Sequence, residues 1–168
     1  MSTTTEEITP AEEQMAVDEL AQAIEDVVLH GKPIWQVCGW NPEQVEGLYS
    51  IGYHYFESGA YEEALKVFKP LVLLDSADAR NWLALGATRQ MLGQYESAIE
   101  SFAPAAALEP ENPKPFFNAL ECHVALKNYD KAKEAAHYII AIASDKPEHA
   151  ALLARVKVIL GALEAKAS

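Results

Sequence analysis

The sequence predicts an all-α superhelix of three helix–turn–helix repeats, led by N-terminal helices and closed by a C-terminal capping helix. Three observations carry this. Small and aromatic residues recur every ~34 residues: Gly52, Gly59, Tyr61, Ala64 and Phe68 return as Gly86, Gly93, Tyr95, Ala98 and Phe102. Tyr95 and Ala98 return again as Tyr129 and Ala132. The middle copy is the fullest, running from Trp82 through Leu85 and Gly86 to Pro110. Beyond the last copy, Leu152, Leu153, Val156, Ile159, Leu160 and Leu163 follow helical spacing. The phased units cover 45–78, 79–112 and 113–146, which is tetratricopeptide spacing.

Taken in order, residues 1–8 are Thr-rich, acidic and poor in apolar content, the composition of a disordered segment. The region 9–44 follows as an N-terminal helical segment. Thr9-Pro10-Ala11-Glu12 reads as a capping box with proline in the first turn. The helix it opens carries Met15, Leu20, Ile24, Val27 and Val28 close to one face and is stopped near His30 by Gly31 and Pro33. That stripe needs a cover, either the first repeat or a second copy. Ile34 to Val37 forms a short apolar turn, and Asn41-Pro42-Glu43-Gln44 opens the first repeat.

Within a repeat, helices A and B pack antiparallel. Gly52 and Gly86 let the partner helix approach, and Ala64, Ala98 and Ala132 are expected to receive it. Phe68 and Phe102 fill the space between units, and Gly59 and Gly93 lie in the turns. The third unit is atypical: Leu120, Lys127 and Ala136 stand where the others have glycine, glycine and phenylalanine. Pro70 and Pro104 occupy equivalent places late in helix B. An interior proline costs about 3 kcal/mol, so helix B is expected to bend or end there. After Lys146-Pro147, residues 147–168 supply the capping helix and tail.

Composition narrows the function. With 25 acidic and 13 basic residues the chain has a formal charge of −12. No basic stripe for nucleic acid is visible, and an anionic membrane surface is disfavoured; an acidic protein surface is either simply solvated or suited to basic or apolar polypeptide partners. Met1 to Glu13 is polar and acidic, so no secretory leader is expected. Cys38 and Cys122 are far apart, which fits a reducing cytoplasm. The five histidines show no metal spacing, and no phosphate loop or nucleophile elbow is present. Neither an enzyme nor a cofactor is expected.

The chemistry of the chain therefore points to its groove. The A helices line the concave side of such stacks. Their inward positions select Glu46, Tyr49, Tyr53, Phe56 and Glu57 in the first unit. The second gives Arg80, Leu83, Ala87, Gln90 and Met91, and the third Lys114, Phe117, Glu121, Val124 and Ala125. Tyr49, Tyr53 and Phe56 share one helix face. Such a stripe is core in many helices, but here the repeat positions already supply the core. The groove suits an extended peptide. It lacks the basic and amide residues that clamp a terminal carboxylate, having Tyr49/Tyr53, Leu83/Ala87 and Phe117/Glu121 at the relevant positions.

The chain also carries Leu48-Tyr49-Ser50, Ser58 to Glu62, Lys66-Val67-Phe68, Leu74-Asp75, Leu85 to Gln90, Gly93 to Tyr95 and Phe116 to Cys122, and within these Ser50, Arg89-Gln90 and Glu121-Cys122 lie outside the general repeat pattern. Over these the chain resembles the class II type III secretion chaperones, the low-calcium-response family that escorts hydrophobic translocators. The resemblance covers roughly Gly31 to the C-terminal helix. It implies a cytoplasmic, non-enzymatic bacterial chaperone that binds two translocator proteins before export. It also implies a homodimer through the N-terminal helix, and a client segment of the form P-x-L-x-x-P on the concave face. The client site it implies contains Tyr49, Tyr53, Phe56 and Tyr61, then Leu83, Ala87, Gln90 and Phe117; Met91 and Glu121 join it as inward positions. Pro70, Pro104 and Asn118 depart from the family pattern. The alternative is a general repeat scaffold for another peptide.

Overall fold

A computed structural model describes residues 9–165. The proposed disorder of residues 1–8, the side chain of Glu12 in the first capping box and the last tail residues lie outside the described set. Described residues form helices and turns only. The helices are α1 (Pro10–Val28), α2 (Ile34–Val37), α3 (Pro42–Glu57), α4 (Tyr61–Leu74), α5 (Ala79–Met91), α6 (Tyr95–Leu108), α7 (Pro113–Ala125), α8 (Tyr129–Ala143) and α9 (Ala150–Ala165). A 3₁₀ turn at Pro147–His149 leads into α9.

Each A helix (α3, α5, α7) starts on a polar cap. Asn41 and Gln44 form a reciprocal capping box, each side chain accepting the other's backbone N–H at 2.9 Å. Asp78 accepts from the Arg80 N–H at 2.9 Å and Asn112 from the Lys114 N–H at 3.0 Å. Each A helix also ends in the same way, with a left-handed residue and a Schellman pair of hydrogen bonds. Gly59, Gly93 and Lys127 have φ of 79°, 73° and 61°. The N–H groups of Ala60, Gln94 and Asn128 reach back to the carbonyls of Tyr55, Arg89 and His123 at 2.8–2.9 Å. Lys127 thus keeps the turn of the repeat without its glycine. A side chain in this region is strained by about 1–2 kcal/mol, partly offset by the greater entropy glycine loses on folding. We expect Lys127→Gly to stabilise the chain by about 0.5–1 kcal/mol, raising the melting temperature by about 1–4 °C. An unchanged or lower melting temperature would contradict that account of the turn.

The packing inside each unit adds a partner to the expected close approach. The atoms nearest the open side of Gly52 belong to Phe68 and Val67, and those nearest Gly86 to Phe102. A Cβ on Gly52 would lie 2.8 Å from Cε1 of Phe68. One on Gly86 would lie 2.5 Å from Cδ1 of Phe102. A flat ring fills the space above a bare backbone more completely than a methyl group does. Phe68 also clusters with Leu85 of α5, and Phe102 with Cys122 of α7, so each ring joins its own unit to the next. In the third unit the sizes are exchanged: Leu120 on α7 and Ala136 on α8 are both fully buried in one cluster with Ile139 and Val156.

Of the bend or early end expected at Pro70 and Pro104, the early end is corrected: α4 continues to Leu74 and α6 to Leu108. Packing of Leu71 and Val72, and of Ala105, holds the turn that the proline weakens. The closing helix α9 packs on α8, with Leu153, Val156 and Leu163 buried.

The leading helix α1 contrasts with the rest. It touches chiefly α2, and Met15, Leu20, Ile24 and Val28 are each more than half exposed. Of the two covers for its stripe, the chain's own first repeat is not used. The segment is hooked to the repeats through Trp35, whose indole N–H donates to Asp75 at 3.1 Å. No helix among the described residues is long and apolar enough to cross a membrane.

Candidate functional site

The A helices lie side by side, α3 against α5 and α5 against α7. A cavity of about 420 Å³ opens between them, within the size range of ligand pockets. One wall is aromatic. Tyr49, Tyr53 and Phe56 project from successive turns of α3, and Leu83 and Ala87 continue the apolar surface on α5. The Tyr49 and Tyr53 rings stack with centroids 6.3 Å apart, and Tyr49 meets the Phe68 ring edge-on at 5.8 Å. Phe68 also lines the cavity, so the aromatic core of the first unit forms part of its floor.

The other wall is polar. It contains Arg80 of α5, Glu109 and Asn112 of the α6–α7 turn, and Lys114 and Asn118 of α7. Arg80 lies 5.1 Å above the Tyr49 ring and pairs with Asp78 at 2.7 Å and Glu46 at 3.1 Å. Hydrogen bonds to Asp78 and Glu46 push the Arg80 pKa further up. Burial disfavours the Asp78 carboxylate, but the hydrogen bonds from Arg80 outweigh it and hold its pKa below the usual value. Burial raises the Tyr49 pKa against the opposing charge of Arg80. A hydrogen bond to Glu57, with its charge, raises that of Tyr53. Both phenols are therefore neutral donors near neutral pH.

A second cavity of about 540 Å³ lies toward the C-terminal end, lined by Gln90, Met91, Tyr95, Glu121, Val124, Ala125 and Ile159. Glu121 accepts from Gln90 at 3.1 Å and from Arg155 of α9 at 3.0 Å, so one carboxylate ties α5, α7 and α9 together.

Of the ten sequence-selected residues, Tyr49, Tyr53, Phe56, Leu83 and Ala87 meet in the first cavity, and Gln90, Met91 and Glu121 in the second. Tyr61 lines neither and packs edge-on against Phe56 at 5.4 Å. Phe117 also lines neither. It is 5% exposed, clusters with Leu120, Ile139 and Val156, and is roofed by the Arg155 guanidinium at 4.6 Å. Among the larger and polar lining residues the sequence reading missed Glu109, Asn112, Pro115, Asn118 and Ile159. The signal for Asn118 was available, because it follows Lys114 by one helical turn. Nothing in the repeat spacing marks the other four. Among the described residues, no group of three or more His, Cys, Asp or Glu is placed to hold a metal.

Models of the tetratricopeptide repeat match residues 45–78 and 90–156. The chain is 34% identical over 155 residues to the low calcium response locus protein H of Yersinia pseudotuberculosis, covering 92% of both chains. It is similar to the type III secretion chaperone SycD of Yersinia enterocolitica, solved with a peptide of the translocator YopD. That match has 35% identity and a TM-score of 0.74, over 76% of this chain and 98% of SycD. PcrH of Pseudomonas aeruginosa, solved with the chaperone binding region of PopD, is 37% identical with a TM-score of 0.74, over 77% of this chain and 98% of PcrH. PcrH is also solved with the chaperone binding region of PopB, at 38% identity and a TM-score of 0.68, over 74% of this chain and 98% of that one. The repeat spacing, the helical stack and these relatives agree: the chain belongs to the low-calcium-response family of class II type III secretion chaperones.

Proposed function

We propose that this protein is a non-enzymatic, cytoplasmic chaperone that binds hydrophobic translocator proteins before their export. It holds an extended client segment in the groove formed by the units 45–78, 79–112 and 113–146, with 147–168 as the cap. The observation that carries this reading is the aromatic wall of Tyr49, Tyr53 and Phe56, facing an open cavity beside Leu83 and Ala87. Tyr53 is 47% exposed, which a residue serving only the core would not be. An extended apolar segment would cover these rings, while the Tyr49 hydroxyl donates to its backbone and that of Tyr53, already bonded to Glu57, can accept from it. Gln90, Met91 and Glu121 continue the contact in the second cavity, Tyr61 supports Phe56, and Phe117 supports the groove from below. The PcrH complexes with regions of PopB and PopD support two translocators as clients. The exposed α1 stripe supports a homodimer through the N-terminal helix.

Co-expression with a translocator from the same secretion system, followed by size-exclusion chromatography with light scattering, tests this. The expected result is a soluble co-eluting complex that is lost when Tyr49→Ala and Tyr53→Ala are combined. Truncating two anchors costs on the order of 2–4 kcal/mol of binding, or roughly 30-fold to 1,000-fold in affinity. An insoluble client beside an unchanged free chain would leave a general repeat scaffold as the better description.

A further inference from the structure

The cavity between the A helices is chemically two-sided, and its polar side contains groups that the chain itself does not use. Its charged lining consists of Arg80, Lys114 and Glu109, two cations against one carboxylate, in a chain of formal charge −12. Arg80 is engaged by Asp78 and Glu46, and Glu109 accepts from the Asn112 side chain at 2.8 Å. Some other cations are engaged too, Arg155 by Glu121 and Lys146 by Glu111. Lys114 is one of several lysines with no carboxylate partner among the described residues, and the one of them that lines this cavity. Its backbone N–H is capped by Asn112, but its ammonium is left to solvent. Asn118, one turn further along α7, lines the same cavity, and its carboxamide likewise has no partner among them. With nearly twice as many acids as bases in the chain, a cation left unpaired on a cavity wall is available to a ligand.

We propose that Lys114, assisted by Asn118, is a specificity-determining residue that receives an acidic side chain of the client. The client's apolar residues meanwhile lie on Tyr49, Tyr53, Phe56 and Leu83. The inference rests on the groove reading above and adds the charge of the partner. It gives the client segment a direction, with its apolar anchor toward α3 and its carboxylate toward the start of α7. Lys114 offers a point charge and rotatable donors, and Asn118 an amide N–H for the second carboxylate oxygen. An exposed ion pair of this kind discriminates modestly and is screened by salt.

The test uses the full chain and blocked synthetic octapeptides built on a P-x-L-x-x-P frame. Glutamate is placed at each x position in turn, and each peptide is paired with its glutamine counterpart. Affinities are read by calorimetry or fluorescence anisotropy in 50 mM and 500 mM salt. At low salt, one glutamate peptide should bind about threefold to fivefold tighter than its glutamine partner. That preference should shrink at high salt and vanish in Lys114→Gln, with melting temperature confirming the variant's fold. Asn118→Ala should reduce it in part. Equal binding of every pair, or a preference that survives Lys114→Gln, would overturn the proposal while leaving the groove reading standing. Failure of all peptides to bind, or binding undisturbed by Tyr49→Ala with Tyr53→Ala, would overturn the groove reading and this proposal together.

Discussion

Gly86→Leu is expected to unfold the middle repeat, or to lower overall stability by about 3 kcal/mol or more. Overpacking a filled core costs about 1–3 kcal/mol even where neighbours can shift. Here they have little room. The first added carbon would sit 2.5 Å from Cδ1 of Phe102, whose ring is 1% exposed and is bounded on its far side by Cys122 of α7. Helix propensity favours the substitution by at most about 1 kcal/mol, too little to offset the clash. Thermal and denaturant melts followed by circular dichroism would measure the loss. Combining Gly86→Leu with Phe102→Ala should recover part of it, giving a double-mutant coupling of about 0.5–3 kcal/mol. A single variant melting with the wild type would refute the contact.

Phe117→Ala should be nearly as damaging. From the repeat positions Phe117 reads as a groove residue, for which truncation would affect binding and spare the fold. Its surroundings give a different expectation: it packs on Leu120, Ile139 and Val156 and lies beneath Arg155. Truncating a buried phenylalanine costs about 3–5 kcal/mol, a fall of roughly 6–20 °C in melting temperature for a chain of this size. Loss of the Arg155 cation–π contact contributes about 0.5–1 kcal/mol at this exposed side chain. Because α9 covers the same cluster, the variant should also expose the C-terminal helix to early proteolysis. A normal melting temperature with weakened client binding would restore Phe117 to the groove surface.

These two residues show where the sequence was legible. The period of Gly52, Gly59, Tyr61, Ala64 and Phe68 against Gly86, Gly93, Tyr95, Ala98 and Phe102 gave the helical stack, because each fixed place in a repeat has one physical task. The aromatic wall followed, since Tyr49, Tyr53 and Phe56 lie on one face of a helix whose start is marked by Asn41 and Gln44. What spacing could not convey is compensation. Leu120 and Ala136 look like a decayed repeat when read singly, yet the large residue has moved to helix A and the small one to helix B. Lys127 likewise looks like a lost turn, although the Schellman bonds retain the left-handed conformation without glycine. Spacing alone places Phe117 on the groove because its cover, Arg155, comes from outside the repeats. Pro70 and Pro104 were overweighted, because local propensity took no account of the buried Leu71, Val72 and Ala105 around them.

The order of contacts along the stack has a mechanical consequence. Among the described residues each helix packs mainly on the helices before and after it, and the A helices meet chiefly at α3–α5 and α5–α7, so the first and third units share no comparable contact. Among those residues no extensive helix contact holds the two ends at a fixed separation. Curvature is then an elastic coordinate: small rotations at successive interfaces add along the stack, so that modest bending at each joint opens or narrows the whole concavity. The stiffness of this spring, more than the outline of any one cavity, sets how thick a strand the chain can embrace.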